Sequence, residues 1–147
     1  MARFRSSYPA TIDAKGRIKL PVRHRELLIE DECRELYVCS LFPWELRAYP
    51  LPVWEALEER LLAKPAMKPA ILKLIERVSY GQLVDMDEHG RIVIPSLLRD
   101  IVDVRGDVVV SGRINFLAIT RRTRADQLLQ TDTLSKEELE ELALLEL

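Results

Sequence analysis

Three residues that can organise a tight, charged loop occur in the same order at two places in the sequence: an aspartate, a glycine three positions later, and an arginine next to that glycine. They are Asp13, Gly16 and Arg17, and again Asp87, Gly90 and Arg91. Aspartate at the start of a turn accepts hydrogen bonds from backbone N–H groups, and glycine tolerates the left-handed conformation that closes the loop. The arginine can brace the loop by pairing with its own aspartate, or it can offer its planar fork to phosphates and guanine edges.

The repetition extends beyond these three residues. Residues 13–21 and 87–95 share Asp, Gly, Arg, Ile and Pro at the same places, 74 positions apart. Solenoid arrays need at least three short units, so two copies at so long a period indicate two half-domains that fold together. A chain of 147 residues that is 48% hydrophobic can bury one sizeable core. We therefore predict one compact unit with internal symmetry.

Basic residues are concentrated near the start of the chain. The net charge is −2, yet residues 1–25 carry seven lysines and arginines against Asp13 alone. Because such side chains neutralise phosphates, this segment is a candidate DNA-binding surface. The candidate contacts are Arg5, Lys15, Arg17, Lys19 and Arg23, together with Arg91 of the second motif. Charge runs are also often solvated faces without a ligand, and that alternative stays open.

The last sixteen residues have the opposite balance, with six aspartates and glutamates against Lys136. Ser135, followed three positions later by Glu138, forms a capping box that predicts a short helix. We interpret this acidic tail as either a solvated segment or a partner-binding surface.

The hydrophobic pattern predicts the elements that must position the motifs. A hairpin is predicted over residues 8–21, with Ile18 and Leu20 facing the core. Arg17 and Lys19 then lie on the opposite face. Further predictions for the chain up to residue 78 are a helix over 22–28, strands over 36–39 and 46–49, a helix beginning at Pro52, a break from Pro65 to Pro69 and a helix over 71–78.

Other reactive residue types suggest neither catalysis nor a metal site. Cys33 and Cys39 are expected to be reduced, buried thiols, since their spacing fits neither zinc nor redox motifs. His24 and His89 are interpreted as an exposed helix residue and a loop-tip residue. With no nucleophile–base pair, metal cluster or phosphate-binding glycine loop visible, we expect no enzyme, no cofactor and no small-molecule substrate.

Arg25 and Arg99 occupy equivalent positions, four residues after the prolines that begin the two predicted short helices, Pro21 and Pro95. Each can brace a neighbouring carboxylate or contact DNA. Bracing a carboxylate is the preferred interpretation.

Several segments resemble the MraZ transcriptional regulators: Phe4 and Arg5, residues 13–17, 49–55 and 86–91. The resemblance covers about residues 4 to 125 and implies two AbrB-like swapped-hairpin repeats that form one pseudo-symmetric β-barrel domain of an α+β, β-rich class. The expected divisions are 7–53 for the first repeat, 54–81 for a helical connector, 82–125 for the second repeat and 126–147 for the acidic tail with its C-terminal helix. The motif residues match the family's turn, except that His89 stands where Lys15 does in the first copy.

The resemblance also implies a function. Such proteins are expected to be ring-shaped homo-oligomers that bind double-stranded DNA at repeated promoter elements of the division and cell-wall gene cluster, including their own promoter, as repressors. The expected location is cytoplasmic and nucleoid-associated, with no membrane partner. AbrB-like folds also occur in antitoxins, so the alternative is a protein-interaction module that uses the acidic tail. Duplication argues against that alternative.

Overall fold

The computed structural model describes residues 2–64 and 68–147. In the first copy the elements are β1 (Ser7–Ile12), β2 (Arg17–Lys19), α1 (Val22–Glu30), β3 (Glu35–Phe42), β4 (Glu45–Pro50), α2 (Leu51–Leu62) and α3 (Pro69–Val78). In the second copy they are β5 (Gln82–Asp85), β6 (Arg91–Val93), α4 (Ser96–Ile101), β7 (Gly106–Gly112), β8 (Leu117–Arg121), α5 (Arg122–Thr131) and α6 (Lys136–Glu141). The two copies therefore repeat one order of elements, and the predicted α+β, β-rich class is confirmed.

The eight strands form one antiparallel sheet in the order β5-β3-β4-β8-β7-β1-β2-β6. Its two edge strands, β5 and β6, also contact each other, so the sheet is a nearly closed barrel. Closure protects backbone groups that an open edge would expose. The predicted pseudo-symmetric β-barrel is confirmed.

Adjacent pairs of strands from the two copies alternate around this barrel. β1 pairs with β7 from Ser7↔Ser111 to Ile12↔Gly106, while β5 pairs with β3. β2 pairs with β6 and β4 pairs with β8. Each copy thus lends its first strand to the other, and neither copy can complete the barrel by itself.

The interior of the barrel is filled by one apolar cluster, and Ile18 and Ile92 lie opposite each other within it. Their side chains are 0% and 1% exposed, whereas Arg17 and Lys19 on either side of Ile18 are exposed. This alternation is the predicted period of two. A smaller apolar cluster lies outside the barrel, where α2 and α3 cover β3 and β4. Trp54 stacks there on Tyr37 at 4.3 Å between ring centroids.

His24 corrects one expectation from the sequence. It was predicted to be an exposed helix residue, but it is fully buried on the inner side of α1. Its Nε2 lies 3.0 Å from the carbonyl oxygen of Arg5, and the rings of Phe4 and Tyr8 meet it edge-on. Burial lowers the pKa of His24 below 6.5, so the neutral ring donates to that carbonyl through Nε2.

Helix boundaries differ slightly from the predicted ones. α2 begins at Leu51, one residue before Pro52, and the helix α5 was not predicted. The capping box at Ser135 and Glu138 is present at the start of α6. Residues 65–67 of the predicted break between Pro65 and Pro69 lie outside the described residues. Over the described ranges, no helix is long and apolar enough to cross a membrane.

Truncating Ile18 tests the importance of pairing between the copies. Ile18→Ala should reduce the free energy of unfolding by about 2–5 kcal/mol, because it leaves a cavity against Ile92 in a closely packed core. Urea titration measures this loss. The control is Val93→Ala on the same strand pair, whose side chain is 50% exposed and whose loss should cost about 0.5 kcal/mol or less. Equal losses of stability in the two variants would contradict the placement of Ile18 in the core against Ile92.

Candidate nucleic-acid interface

The first motif forms a tight turn organised around the Asp13 carboxylate. Its Oδ1 accepts the backbone N–H groups of Lys15 and Arg17 at 3.0 and 2.9 Å. Its Oδ2 accepts Nε of Arg17 at 2.8 Å. Gly16 closes the loop with φ at +84° and donates its N–H to the Asp13 carbonyl at 2.9 Å. One carboxylate therefore fixes both the backbone of the turn and the direction of the arginine.

The second motif repeats this geometry. Asp87 Oδ1 accepts the N–H groups of His89 and Arg91 at 2.8 and 2.9 Å. Arg91 Nε lies 3.4 Å from Asp87 Oδ2, a looser ion pair than that of the first turn. Gly90 has φ at +77°. Both turns therefore have the same shape, and their arginines differ in how tightly they are held.

Hydrogen bonding also sets the charge of the turns. The backbone N–H of Arg17, followed by its side chain, holds the pKa of Asp13 below its usual 3.8. For Asp87, the backbone N–H of Arg91 lowers the pKa in the same way. Both carboxylates are ionised at neutral pH, so each arginine faces a full negative charge.

The side chains of Arg25 and Arg99 each reach from their own copy to the turn of the other copy. Arg99 Nη1 donates to the carbonyl of Ala14 at 3.1 Å, and Arg25 Nη1 donates to the carbonyl of His89 at 3.0 Å. Each arginine therefore braces the turn of the other copy. The expected carboxylate partner is wrong, because the acceptors are backbone carbonyls.

The two motif glycines leave room for these arginines. A Cβ on Gly16 would lie 2.7 Å from Arg99 Nε, and a Cβ on Gly90 would collide with Arg25 Cδ. Glycine is therefore required at both turns for its positive φ and for the close approach of the bracing side chain.

Strand register gathers three of the predicted cations on one surface. Lys19 lies directly opposite Arg91, and Arg17 lies opposite Val93. Directly opposed residues project from the same face of a sheet, and Ile18 and Ile92 occupy the inner face. The outer face of the β2–β6 pair, here called the cationic face, therefore carries Arg17, Lys19 and Arg91.

Side chains of the cationic face keep free donors. Arg17 bonds Asp13 through Nε, and its two Nη groups make no hydrogen bond within the described part of the chain. Lys15, at the tip of the first turn, is exposed. The arrangement can offer a guanidinium fork and point charges to an anionic ligand.

Two other predicted contacts lie elsewhere. Arg5 follows Phe4, which pairs with Ile114 beyond the opposite end of β1. β1 has six residues, so its two ends are about 17 Å apart. Arg23 is exposed on α1, 3.6 Å from Glu26. The basic residues of the first segment therefore do not form a single surface.

A group of arginines beside the first turn was missed from the sequence. Arg105, Arg121 and Arg122 line a cleft of about 750 Å³ together with Asp13 and other residues. Arg121 pairs with Asp103 at 2.7 Å, while Arg122 is exposed. The adjacent pair Arg121-Arg122 was visible as a signal, but only the pairing of β1 with β7 and of β7 with β8 brings it to the first turn.

The structure also places the residue types that could bind a metal or react as nucleophiles. In the described residues, no group of three or more histidines, cysteines or acids is placed to hold a metal ion. Both cysteines are free; Cys39 is buried as expected, whereas Cys33 is only partly buried. Burial raises the pKa of Cys39 to about 12, so this thiol stays protonated and unreactive.

Removing one crossing brace should loosen only the opposite turn. Arg99→Ala should speed hydrogen exchange of the Gly16 amide about tenfold or more, because a bond from a charged donor contributes about 1.5–3 kcal/mol. Arg25→Ala should do the same at Gly90 and serves as the matched control. Exchange measured by NMR at both amides decides this. Equal changes at both turns in either variant would contradict the claim that each arginine braces only the turn of the other copy.

The two motif carboxylates also predict a pH dependence. Their pKa values are lowered on folding, so the stability they add is complete above the ordinary carboxyl pKa of 3.8 and is lost as pH falls through the folded value. The difference in Tm between wild type and Asp13→Asn should therefore be largest above about pH 5 and should shrink towards pH 2. Thermal unfolding followed by circular dichroism measures it. A Tm difference that stays constant over that range would refute the claim that the ionised Asp13 carboxylate stabilises the fold.

Proteins named Transcriptional regulator MraZ align with most of the chain. The protein of Acidobacterium capsulatum is 35% identical over 141 residues, 95% of this chain and 97% of that protein. The protein of Koribacter versatilis is 39% identical over 118 residues, 79% of this chain and 80% of that one. The protein of Escherichia coli is 30% identical over 133 residues, 88% of this chain and 86% of that one. No family model matches the chain. On the identity and coverage of these relatives, this chain belongs to the MraZ family of transcriptional regulators.

Proposed function

We propose that this protein regulates transcription by binding double-stranded DNA through the cationic face and the adjoining tip of the first turn, which carries Lys15. The proposal extends to a ring-shaped homo-oligomer that acts chiefly as a repressor on repeated promoter elements of the division and cell-wall gene cluster, including its own promoter. The observation that carries it is the register of β2 with β6, which places Lys19 of one copy opposite Arg91 of the other and beside Arg17.

In this proposal DNA lies against the outer face of the β2–β6 pair, because β1 and β5 flank the pair within the barrel and leave only that face open. Asp13 holds Arg17 by Nε, so the free Nη groups are presented in a fixed direction without further loss of side-chain entropy. Arg17 is suited to a guanine edge or a phosphate, while Lys15 and Lys19 act as point charges on the backbone.

Assembly accounts for binding by a chain whose net charge is −2. One chain presents only a few cations, whereas the several chains of a ring each present one cationic face to successive segments of DNA. Closed rings arise from head-to-tail contacts between two different surfaces, which two non-identical repeats supply. The cleft beside the first turn brings Arg105, Arg121 and Arg122 close to this surface, but it also contains Asp13, Asp107 and Asp126, so it adds no net positive charge.

A matched pair of tip variants tests the DNA-binding proposal. Lys15→Ala should weaken binding to the protein's own upstream DNA and should flatten the plot of log affinity against log salt by about 0.9 for each lysine that contacts a phosphate. His89 occupies the equivalent position at the tip of the second turn, so His89→Ala should have a smaller effect on both the affinity and the salt slope. Gel-shift titrations over a series of salt concentrations give both quantities.

Each variant must first retain the wild-type Tm. Equal effects of the two variants would contradict the role of Lys15. Salt-independent binding by the wild type would contradict the proposal as a whole. A wild-type protein indifferent to DNA that co-purifies with a stoichiometric partner would instead favour an antitoxin-like interaction module.

A further inference from the structure

The two copies differ in how their outer sheet faces are covered. In the first copy, α3 packs on β3 and is tied to it by polar contacts. The hydroxyl of Tyr37 donates to the carbonyl of Val78 at 2.8 Å. Arg77 donates to the carbonyl and the hydroxyl of Ser40 at 3.2 and 3.1 Å. The large side chains between helix and sheet are largely buried.

In the second copy, the matching positions carry smaller residues. Strand register sets the correspondence at an offset of 72 in β7 and 71 in β8 and α5. Tyr37, Cys39, Tyr49 and Trp54 of the first copy are replaced by Val109, Ser111, Thr120 and Ala125. The equivalent helix α6 does not cover them, because all residues from 131 to 141 are exposed.

The result is a hollow on the second copy. It measures about 620 Å³ and lies between α5 and β7, lined by Val109, Ser111, Thr120, Ala125, Leu128, Leu129 and neighbouring residues. Leu129 is 79% exposed. In the first copy two helices, α2 and α3, cover this sheet face, whereas in the described part of the second copy only α5, the counterpart of α2, packs on it.

The helix pair of the first copy has an apolar face without a partner. Leu72 and Ile75, three residues apart on α3, are 52% and 46% exposed. Leu62 at the end of α2 is 81% exposed and shares a cleft with Ile75. α3 already buries Val78 and packs Leu74 against the outer apolar cluster. A ten-residue helix with two apolar stripes is typical of one that packs on both sides.

We propose that this helix-pair face, formed by Leu62, Leu72 and Ile75, docks into the hollow of another chain of the same protein. The inference rests on the ring assembly of the proposed function and names its two surfaces. α3 is bonded to β3 of its own barrel, and β4 and β8 separate β3 from β7, so face and hollow cannot meet within one chain. Contact between two different surfaces is head-to-tail.

Charge supports this occupant over the acidic tail. Lys64 lines the cleft of the helix-pair face, and Lys68 and Lys73 are exposed nearby on the chain. The hollow contains Asp126 and Asp132. Lys68 and Lys73 on the α3 side of the face can therefore approach these aspartates, whereas the tail, whose six acids outnumber Lys136, would bring mainly like charge to them.

Arg113 also lines the hollow, and it is already paired with Glu45 at 3.3 Å. Glu58 and Glu59 lie on the α2 side of the cleft. The helix-pair face therefore carries charges of both signs, and its lysines are the residues that would approach the aspartates of the hollow.

The test is the molar mass of the full chain by size exclusion with light scattering, without DNA. Leu72→Glu on the helix-pair face and Leu129→Glu in the hollow should each reduce the assembly to single chains. The control Leu144→Glu places the same change on a tail leucine that is 95% exposed and should leave the mass unchanged. Mixing the two disrupted variants should give a complex of one chain of each, since one intact face then meets one intact hollow.

A second variant of the hollow avoids a new charge. Ala125→Trp restores the bulk that Trp54 has in the first copy and should also dissociate the assembly, with unchanged circular dichroism for every variant. Wild-type mass for both Leu72→Glu and Leu129→Glu, or a mixture that stays as single chains, would overturn the proposal. So would dissociation by Leu144→Glu, which would identify the tail as the occupant. DNA binding is measured separately by gel shift, so its loss with an intact assembly would count only against the proposed function.

Discussion

Pairing of β2 with β6 is the contact on which the rest of this structure depends. It sets Ile18 against Ile92 at the centre of the core, and it joins the two copies so that the barrel can close. The same register leaves alternate side chains outside, where Lys19 meets Arg91. The core and the cationic face are therefore two sides of one strand pair. A slip of one residue would exchange them, exposing the isoleucines and burying the cations.

The two turns show how little is needed to hold a basic side chain in place. A carboxylate at the first position satisfies two backbone N–H groups and one guanidinium nitrogen. Glycine supplies a backbone conformation that other residues rarely adopt, and its missing Cβ admits an arginine from the other copy. Each turn is thus stabilised by both copies, which couples the geometry of the turns to the integrity of the whole barrel.

Local patterns predicted most of the fold. Period-two alternation identified Ile18 and Leu20 as core residues, and the capping box at Ser135 located the start of α6. Features that depend on which segments meet could not be predicted. The sequence associates Lys19 with Arg17, but strand register puts it opposite Arg91. His24 lies between two arginines in the sequence and was assigned to the surface. Its burial depends on Phe4 and Tyr8, which only the folded chain brings to it.

The α5 helix was missed because its residues, Arg122–Thr131, are largely polar and only its packing on β7 and β8 defines an inner side. The acceptors of Arg25 and Arg99 were also beyond sequence reasoning, since a backbone carbonyl carries no residue identity.

Joining the two copies in one chain has a consequence for direction. In a dimer of identical subunits, any substitution appears at both turns, and the paired strands look the same from either end. Here Lys15 stands at one tip and His89 at the other, and Lys19 has Val93 as its counterpart. The strand pair therefore has a polarity, with a more basic end and a less basic end. Under the proposed function, a surface of that kind would match an asymmetric element repeated in one orientation better than a palindrome.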